Sequence, residues 1–365
     1  MKQGISFRDI RFTPLSRWIP HLSYPLIIAG PCSAESEKQV LETAKALSRE
    51  GRVRIFRAGI WKPRTRPGGF SGVGEKGLLW LKKVKESTHL LTAVEVANKD
   101  HVSCAISHGV DVLWVGARTT ANPFAIQEIA DALAGHDLPV LVKNPINIDL
   151  PLWIGAIERF YANGITKLIA VHRGFSSYEQ SQYRHHPLWR LPMELKSLLP
   201  RLPIICDPSH IAGRRDLIHP ICQKAMDKNM DGLMVEVHCD PQKALSDSSQ
   251  QITPAAFSGI LSKLIYKREF SEDEFFMEKI KELRDEIDLI DSGIIDSLKT
   301  RMQIVEKIGK YKEQKKITAF QLQRLRELMK KRIDMGETAN LPAEYIREIF
   351  QIIHEESVKR QSYLS

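Results

Sequence analysis

Three residues able to bind a metal follow three separate apolar stretches of the chain, and a fourth comes shortly after the last. Cys32 ends "PLIIAGPCS", His210 ends "PIICDPSH", Glu236 lies in "GLMVEVH", and Asp247 stands 11 residues beyond Glu236. One sulfur, one imidazole nitrogen and two carboxylate oxygens suit a divalent metal of Mn, Fe, Co or Zn type. Taken singly, each has a plainer use: a Cys after a strand packs as a small hydrophobe, and "DPSH" can be a turn around a hydrogen-bonded histidine. A second set is cationic and comprises Arg57, Lys62, Arg64, Arg118, Lys143 and Arg173. Lys62, Arg64 and Arg66 crowd into "IWKPRTRPGGFSG", more fixed charge than a turn requires. Arg57 in "IFRAG" and Lys143 in "PVLVKNP" interrupt apolar runs, where an uncompensated charge is costly. Such residues imply bound anions or partner carboxylates such as Glu95. Arginine forks fit phosphate and carboxylate bidentately, and a lysine can also move a proton.

These residues need elements that bring them together. The first 240 residues contain eight short apolar runs: "PLIIAGPCS", "VRIFRAGIWK", "LLTAVEV", "DVLWVGAR", "PVLVKNP", "KLIAVHRG", "PIICDPSH" and "GLMVEVH". Near-continuous hydrophobicity marks strands buried on both faces, and the polar, helix-compatible segments between them mark a parallel sheet. Eight units predict an α/β fold of the closed (β/α)8 barrel type over residues 1–265. Cys32, Lys62, Glu95, Arg118, Lys143, Arg173, His210 and Glu236 then all fall at the carboxyl ends of the strands, in one mouth.

The texture changes after a linker at 266–274. From residue 275 to 365 no strand-like run occurs, and Ile280, Leu283, Ile287, Ile290, Ile294 and Leu298 recur every three or four positions. One long amphipathic helix is predicted over about 275–314, near 60 Å at 1.5 Å per residue. Shorter helices are predicted over about 318–334 and 343–362. The short pair cannot cover so long a helix, so this all-α domain is expected to form a homodimer. Arg301 and Lys312 project from one helix face, since 11 steps of about 100° return within about 20° of the start. Arg284 points elsewhere. Ser357 and Gln361 form an i, i+4 pair, and Gln321 and Arg324 an i, i+3 pair. Alone, these are ordinary solvated faces.

Composition sets the bounds. With 43% hydrophobic and 27% charged residues the chain reads as a soluble globular protein, with no apolar run of membrane-spanning length and no secretory core at the start. Five cysteines without a CxxC pair point to a reducing cytoplasm. The net charge is +9, yet residues 271–365 carry 18 Lys and Arg against 19 Asp and Glu, so the whole excess lies in the first part. No nucleic-acid motif accompanies it, which leaves small phosphorylated anions in a cleft as the expected partners, with neither nucleic acid nor membrane.

The motifs "AGPCS", "KPRT", "GART", "VKNP", "HRG", "DPSH" and "EVH" followed by "ALSD", in that order, closely resemble 3-deoxy-D-arabino-heptulosonate 7-phosphate (DAHP) synthase in its shorter bacterial, type I-beta-like form. The resemblance covers nearly all of residues 5–265. It implies condensation of phosphoenolpyruvate with erythrose 4-phosphate, releasing phosphate, as the first step towards aromatic amino acids. It also implies that Cys32, His210, Glu236 and Asp247 hold the metal, with Mn²⁺ the preferred ion. Arg57, Lys62, Arg118, Lys143 and Arg173 would hold phosphoenolpyruvate, while Arg64 and Thr65 take the phosphate of erythrose 4-phosphate. With the metal polarising the aldehyde as a Lewis acid, C3 of phosphoenolpyruvate attacks its carbon, water adds at C2 and phosphate leaves. Lys62 is the candidate proton donor to the new hydroxyl. Many members have Ser after "KPRT" where this chain has Arg66. An N-terminal regulatory domain, frequent in that family, has no room before a first strand expected near residue 25.

The tail, in "LRDEIDLID", "LKTRMQIVEKIGKYK", "FQLQRL" and "IIHEESVKRQ", resembles the all-helical chorismate mutases over residues 276–364. The likeness assigns Arg284, Arg301, Lys312, Arg324, Ser357 and Gln361 to binding of chorismate and prephenate, with Arg284 reaching the partner's site. Cations would fix the dicarboxylate in a compact conformer while Lys312 and Gln361 donate to the ether oxygen. Gln321 and Leu325 replace residues that are acidic in other members, and a slower mutase is expected because Leu325 cannot hydrogen-bond. The expectation is a bifunctional enzyme in which ligand at the tail restrains the barrel. The alternative is a synthase whose tail is a catalytically idle dimerisation and sensing module.

Overall fold

Runs rich in Val, Ile and Leu become strands here because each can be buried on both faces, against the barrel axis on one side and helices on the other. The computed structural model describes residues 10–62, 68–177, 181–267 and 273–362. It forms two units, Met1–Glu269 and Phe270–Ser365. In the first, β1 (Leu26–Gly30), β2 (Val53–Arg57), β3 (Leu91–Val96), β4 (Val112–Val115), β5 (Val140–Lys143), β6 (Leu168–His172), β7 (Ile204–Cys206) and β8 (Gly232–Glu236) pair in sequence order as a closed parallel barrel. Closure sets Gly30 of β1 opposite Glu236 of β8.

The connections contain α1 (Glu37–Glu50), α2 (Lys76–Thr88), α3 (Lys99–Ser107), α4 (Ala117–Thr120), α5 (Pro123–Leu133), α6 (Leu150–Ala162), α7 (Arg190–Leu198), α8 (Pro208–Ala212) and α9 (Ile218–Asp227), and α10 (Pro254–Lys263) follows β8. Ser36, Asn98, Asn122, Asp149, Asp207 and Thr253 start six of these helices with side-chain oxygens that accept backbone N–H groups the helix cannot satisfy itself.

Side chains alternate along each strand, and that alternation positions the site. Leu26, Ile28, Ile55, Ala93, Trp114, Leu141, Ile169, Val171, Ile205 and Met234 share the barrel interior, where Leu15 and Ile19 join them. Ile27, Ala29, Phe56, Val94, Val142 and Val235 pack outward under the helices. Two residues beyond an interior apolar residue comes Arg57 after Ile55, Glu95 after Ala93, Lys143 after Leu141, Arg173 after Val171, Asp207 after Ile205 and Glu236 after Met234. The stripe that fills the barrel therefore ends, on six strands, in an ionisable residue.

In the second unit α11 (Glu274–Gln314), α12 (Leu322–Thr338) and α13 (Ala343–Ser362) form an all-helical set. Asp273 caps α11 by accepting from Phe276 N. The middle helix starts four residues later than the periodicity predicts. Lys316 adopts φ 54°, which breaks the helical path, and Lys312 Nζ donates to the Ala319 carbonyl across the turn. Burial is confined to a few positions, among them Met302 and Val305 of α11 and Ile346 of α13. Leu283, Ile287, Ile290 and Ile294 on α11 are exposed. Most of the 266–274 linker, residues 268–272, lies outside the described residues.

Candidate active site

The barrel mouth encloses a cavity of about 190 Å³ lined by Arg57, Lys62, Glu95, Arg118, Lys143, Arg173, Arg184, His185, His210 and Asp247, together with Gly116 and Ala117. At its floor Arg57 is almost wholly buried. Its guanidinium lies 4.8 Å over the Trp114 ring, pairs with Glu236 Oε1 through Nη1 at 3.3 Å, and donates from Nη2 to the Cys32 carbonyl at 3.1 Å. Glu236, equally buried, accepts at Oε2 from Gln250 Nε2 at 2.6 Å. Its Oε1 has no hydrogen-bond donor among the described residues. Lys143 Nζ donates to Asp207 Oδ2 at 2.8 Å, and that carboxylate lies 2.8 Å from His210 Nδ1, which leaves His210 Nε2 facing Glu236 Oε1 at 3.8 Å. Glu95 acts on Arg57 and Lys62 through its charge, while Glu236 and Asp207 are the carboxylates that pair with Arg57 and Lys143. Gly116 makes room for Glu95, since a Cβ there would run into Oε1.

Cys32, Glu236 and Asp247 bring a sulfur and two carboxylate oxygens within 4.8 Å of one another. Cys32 Sγ accepts from Lys62 Nζ at 3.2 Å and donates to Asp247 Oδ2 at 3.3 Å. Asp247 takes φ 45°, a costly conformation for a residue with a side chain, and is held there by Arg184 Nη1 at 3.0 Å. An orphaned buried carboxylate oxygen, a thiol and a strained aspartate around one point, with an imidazole at their edge, fit a divalent cation. Burial, followed by the charge of Glu236, pushes the Cys32 thiol up to about 12. The same burial lowers His210 below its usual value, so its Nε2 is free to coordinate.

Cations outnumber carboxylates above this point. Burial first, then repulsion from Arg184 and Arg118, brings Arg173 down to about 10 despite Asp207. Burial opposes the Lys62 ammonium, yet Cys32, Glu95 and Glu236 outweigh it and hold its pKa above the ordinary value. His185 is driven down to about 2, by burial and then by Arg173, so it stays neutral. Like charges packed this closely repel one another, and an anion bound between them would relieve that repulsion.

The sequence profile described as "DAHP synthetase I family" matches residues 23–269. The chain belongs to the DAHP synthetase I family. Residues 283–362 match the profile described as "Chorismate mutase type II". The phospho-2-dehydro-3-deoxyheptonate aldolase of Thermotoga maritima is 33% identical over 241 residues, 66% of this chain and 69% of the relative. The crystal structure of a Thermotoga maritima DAHP synthase superimposes with a TM-score of 0.62 at 30% identity, over 69% of this chain and 72% of that one. The 2-dehydro-3-deoxyphosphooctonate aldolase of Desulfotalea psychrophila is 26% identical, over 68% of this chain and 91% of its own.

In this family member, Arg64 and Thr65 lie outside the described residues, as does Arg66. Cys32 and Lys62 come after β1 and β2 have ended, on irregular backbone, whereas Arg57, Lys143 and Glu236 end their strands. Reading the sequence for site residues missed Asp207, Arg184, His185, Gln250 and Gln251. Asp207 could have been found by counting two from Ile205 along the interior stripe. Arg184 sits in the long connection after β6 and reaches Gln250 Oε1 at 2.7 Å, 66 residues away. Gln251 Oε1 accepts from Cys32 N across 219 residues. No local pattern announces either contact.

In the chorismate mutase segment, Arg301 Nη1 donates to Ser357 Oγ at 2.5 Å and Gln361 Nε2 to the Ser357 carbonyl at 3.2 Å. Lys312 Nζ is engaged by the Ala319 carbonyl at 3.0 Å. Burial and then the nearby Arg332 lower Arg301 below its usual pKa. Burial, then the charge of Arg301, keeps His354 below its own. Arg332 and His354 are two more groups that sequence reading passed over. Arg324 is largely exposed and faces Glu327 at 3.7 Å. Arg284 lies 17 residues from Arg301 on α11, about 25 Å along the axis.

Two outcomes are expected. Lys143→Met removes the cation paired with the buried Asp207 carboxylate, which keeps the His210 imidazole and backbone N–H, at a cost of about 3–5 kcal/mol. Urea unfolding should show that loss, with part recovered in Lys143→Met/Asp207→Asn; equal losses in both variants would contradict the pairing. Because the Cys32 thiol is protonated near neutrality and burial lowers His210, an ion bound through Cys32 would expel one proton. Affinity for the ion, measured by calorimetric titration between pH 6.5 and 7.5, should therefore rise by about tenfold per pH unit, and a flat profile would exclude Cys32 as a ligand.

Proposed function

We propose that the mouth binds phosphoenolpyruvate beside erythrose 4-phosphate over a divalent ion held by Cys32, His210, Glu236 and Asp247, and joins them to give DAHP and phosphate. The two matched families make this chain a bifunctional enzyme of the shikimate pathway, a DAHP synthase with a chorismate mutase. The reading of the barrel site is carried by one observation: four buried or half-buried carboxylates face six cations, an imbalance that a substrate bearing phosphate and carboxylate would correct.

Arg118, Lys143 and Arg173 are assigned to the phosphate and carboxylate of phosphoenolpyruvate, with Arg57 and Lys62 beneath them. Fixed from several sides, the enol carbon C3 would be held against the aldehyde carbon in a reactive orientation. Arg64 and Thr65 are assigned to the phosphate of erythrose 4-phosphate. A divalent ion, when bound, supplies Lewis-acid polarisation of the aldehyde oxygen, and Mn²⁺ is the ion proposed. Lys62, kept protonated by its neighbours, is positioned to give its proton to the new hydroxyl.

For the helical unit, the cations at Arg301, Lys312 and Arg324, with Ser357 and Gln361, are assigned to the carboxylates and ether oxygen of chorismate. Arg284 lies too far along α11 to share that site, so it is assigned to the site of a second copy. The exposed apolar stripe from Leu283 to Ile294 is the surface such a copy would cover. Prephenate or chorismate bound there is proposed to slow the barrel, which requires unequal affinity for two states of the chain.

Paired assays on the full chain test these assignments. Arg118→Ala should cost the synthase at least about 100-fold in kcat/KM with the mutase intact, and Arg301→Ala should do the reverse. Prephenate should lower the synthase rate in the wild type and not in Arg301→Ala. A mutase rate absent from the wild type would leave the tail as an idle sensing module, and synthase turnover indifferent to Arg118→Ala would remove the anion assignment.

A further inference from the structure

Away from the barrel mouth, donors of three kinds converge on one point of the surface. Glu75 occupies the N-cap position of α2, Cys104 lies in α3, and His108 caps the C-terminus of α3. A thiol sulfur, an imidazole nitrogen and a carboxylate oxygen from these residues lie within 4.8 Å of one another. His108 Nε2 is 3.7 Å from Glu75 Oε1, and the Cys104 thiol lies within 4.8 Å of both residues' ligand atoms. For comparison, a nitrogen and an oxygen each about 2.1 Å from a tetrahedral zinc stand about 3.4 Å apart.

The imidazole is already set for coordination. His108 Nδ1 lies 2.9 Å from the Cys104 carbonyl, which can only accept, so the proton is pinned on Nδ1 and the lone pair of Nε2 faces Glu75. A backbone carbonyl on the far nitrogen is a usual way to orient a metal-binding histidine. Cys104 and His108 are four residues apart, on one face of the helix. The last carbonyls of α3 add partial negative charge at that end. Glu75 is 68% exposed and His108 21%, so an ion can enter from solvent.

We propose that Glu75, Cys104 and His108 bind a zinc-type divalent ion, with water in the fourth position. Thiolate and imidazole favour zinc over magnesium or manganese. Binding breaks the S–H bond of Cys104, forms a sulfur–metal bond and sends the thiol proton to solvent. The location gives the site a purpose. Glu75 directly follows Gly74, whose N–H donates to the Ile60 carbonyl at 3.0 Å, and Trp61 stacks at 3.9 Å on His101 of the same helix α3. The ion thus ties the end of the β2–α2 connection to α3, where the Trp61–His101 stack already ties its beginning. Lys62 lies in that connection.

The full chain, stripped by a chelator, can be titrated with Co²⁺, whose bond to a thiolate gives a near-ultraviolet charge-transfer band. With Cys32→Ala removing the sulfur of the mouth, the band should persist, and adding Cys104→Ala should abolish it. In the chain with Cys32 intact, Cys104→Ala and His108→Ala should each lower zinc stoichiometry by one ion per chain with far-ultraviolet circular dichroism unchanged. This second arm decides the matter if Cys32→Ala fails to fold. A band lacking in Cys32→Ala, a band that survives Cys104→Ala, or a zinc stoichiometry the same in all chains overturns the proposal.

Discussion

A guanidinium and a carboxylate, Arg57 and Glu236, are buried together at the floor of the barrel mouth, and either alone would be intolerable there. Their pairing lets charge penetrate a core otherwise filled by Trp114, Leu141 and Met234. The remaining contacts build outward from that pair. Arg57 fixes the Cys32 carbonyl, Gln250 fixes the second oxygen of Glu236, and His210 is left between Glu236 and Asp207. Such a network is stable when each member is satisfied, and several atoms of this one are not: Arg57 Nε and Nη1 make no hydrogen bond, and Glu236 Oε1 has an ion-pair neighbour but no hydrogen-bond donor, among the described residues. A divalent ion bound by Glu236, Cys32 and Asp247 would satisfy that carboxylate oxygen.

The same accounting explains the cations above the floor. Lys143 is compensated by Asp207, and Arg184 by Asp247. Arg173 has its charge opposed by burial and by its arginine neighbours more than Asp207 supports it. A bound anion would relieve this, so the electrostatic energy of the mouth would fall on binding one. Rigid strands and caps supply the positions, and the irregular segments after β1, β2 and β8 supply Cys32, Lys62 and Asp247.

Much of this was legible in the chain itself. Eight apolar runs gave eight strands because burial on both faces leaves little freedom in composition, and Arg57 and Lys143 stood out because they break those runs. The pairing of charges was less legible. Asp207 looked like part of a turn, and its role follows from a strand alternation that becomes countable once β7 is known to end at Cys206. Arg184, Gln250 and Gln251 act across tens to hundreds of residues, and only closure of the barrel brings them to the site. In the helical unit, periodicity gave α11 and its apolar stripe, but it misplaced the start of α12 because a turn around Lys316 carries no hydrophobic signal.

The mouth, as proposed, joins two anionic substrates with the help of a divalent ion. The most direct measurement is phosphorus NMR of phosphoenolpyruvate and erythrose 4-phosphate incubated with chelated full-length enzyme, before and after Mn²⁺ is added. The chelated sample should show no reaction, and added Mn²⁺ should bring matched loss of both substrates with appearance of inorganic phosphate and one new phosphomonoester. Equal turnover with and without the ion, or phosphate released from phosphoenolpyruvate alone, would contradict it.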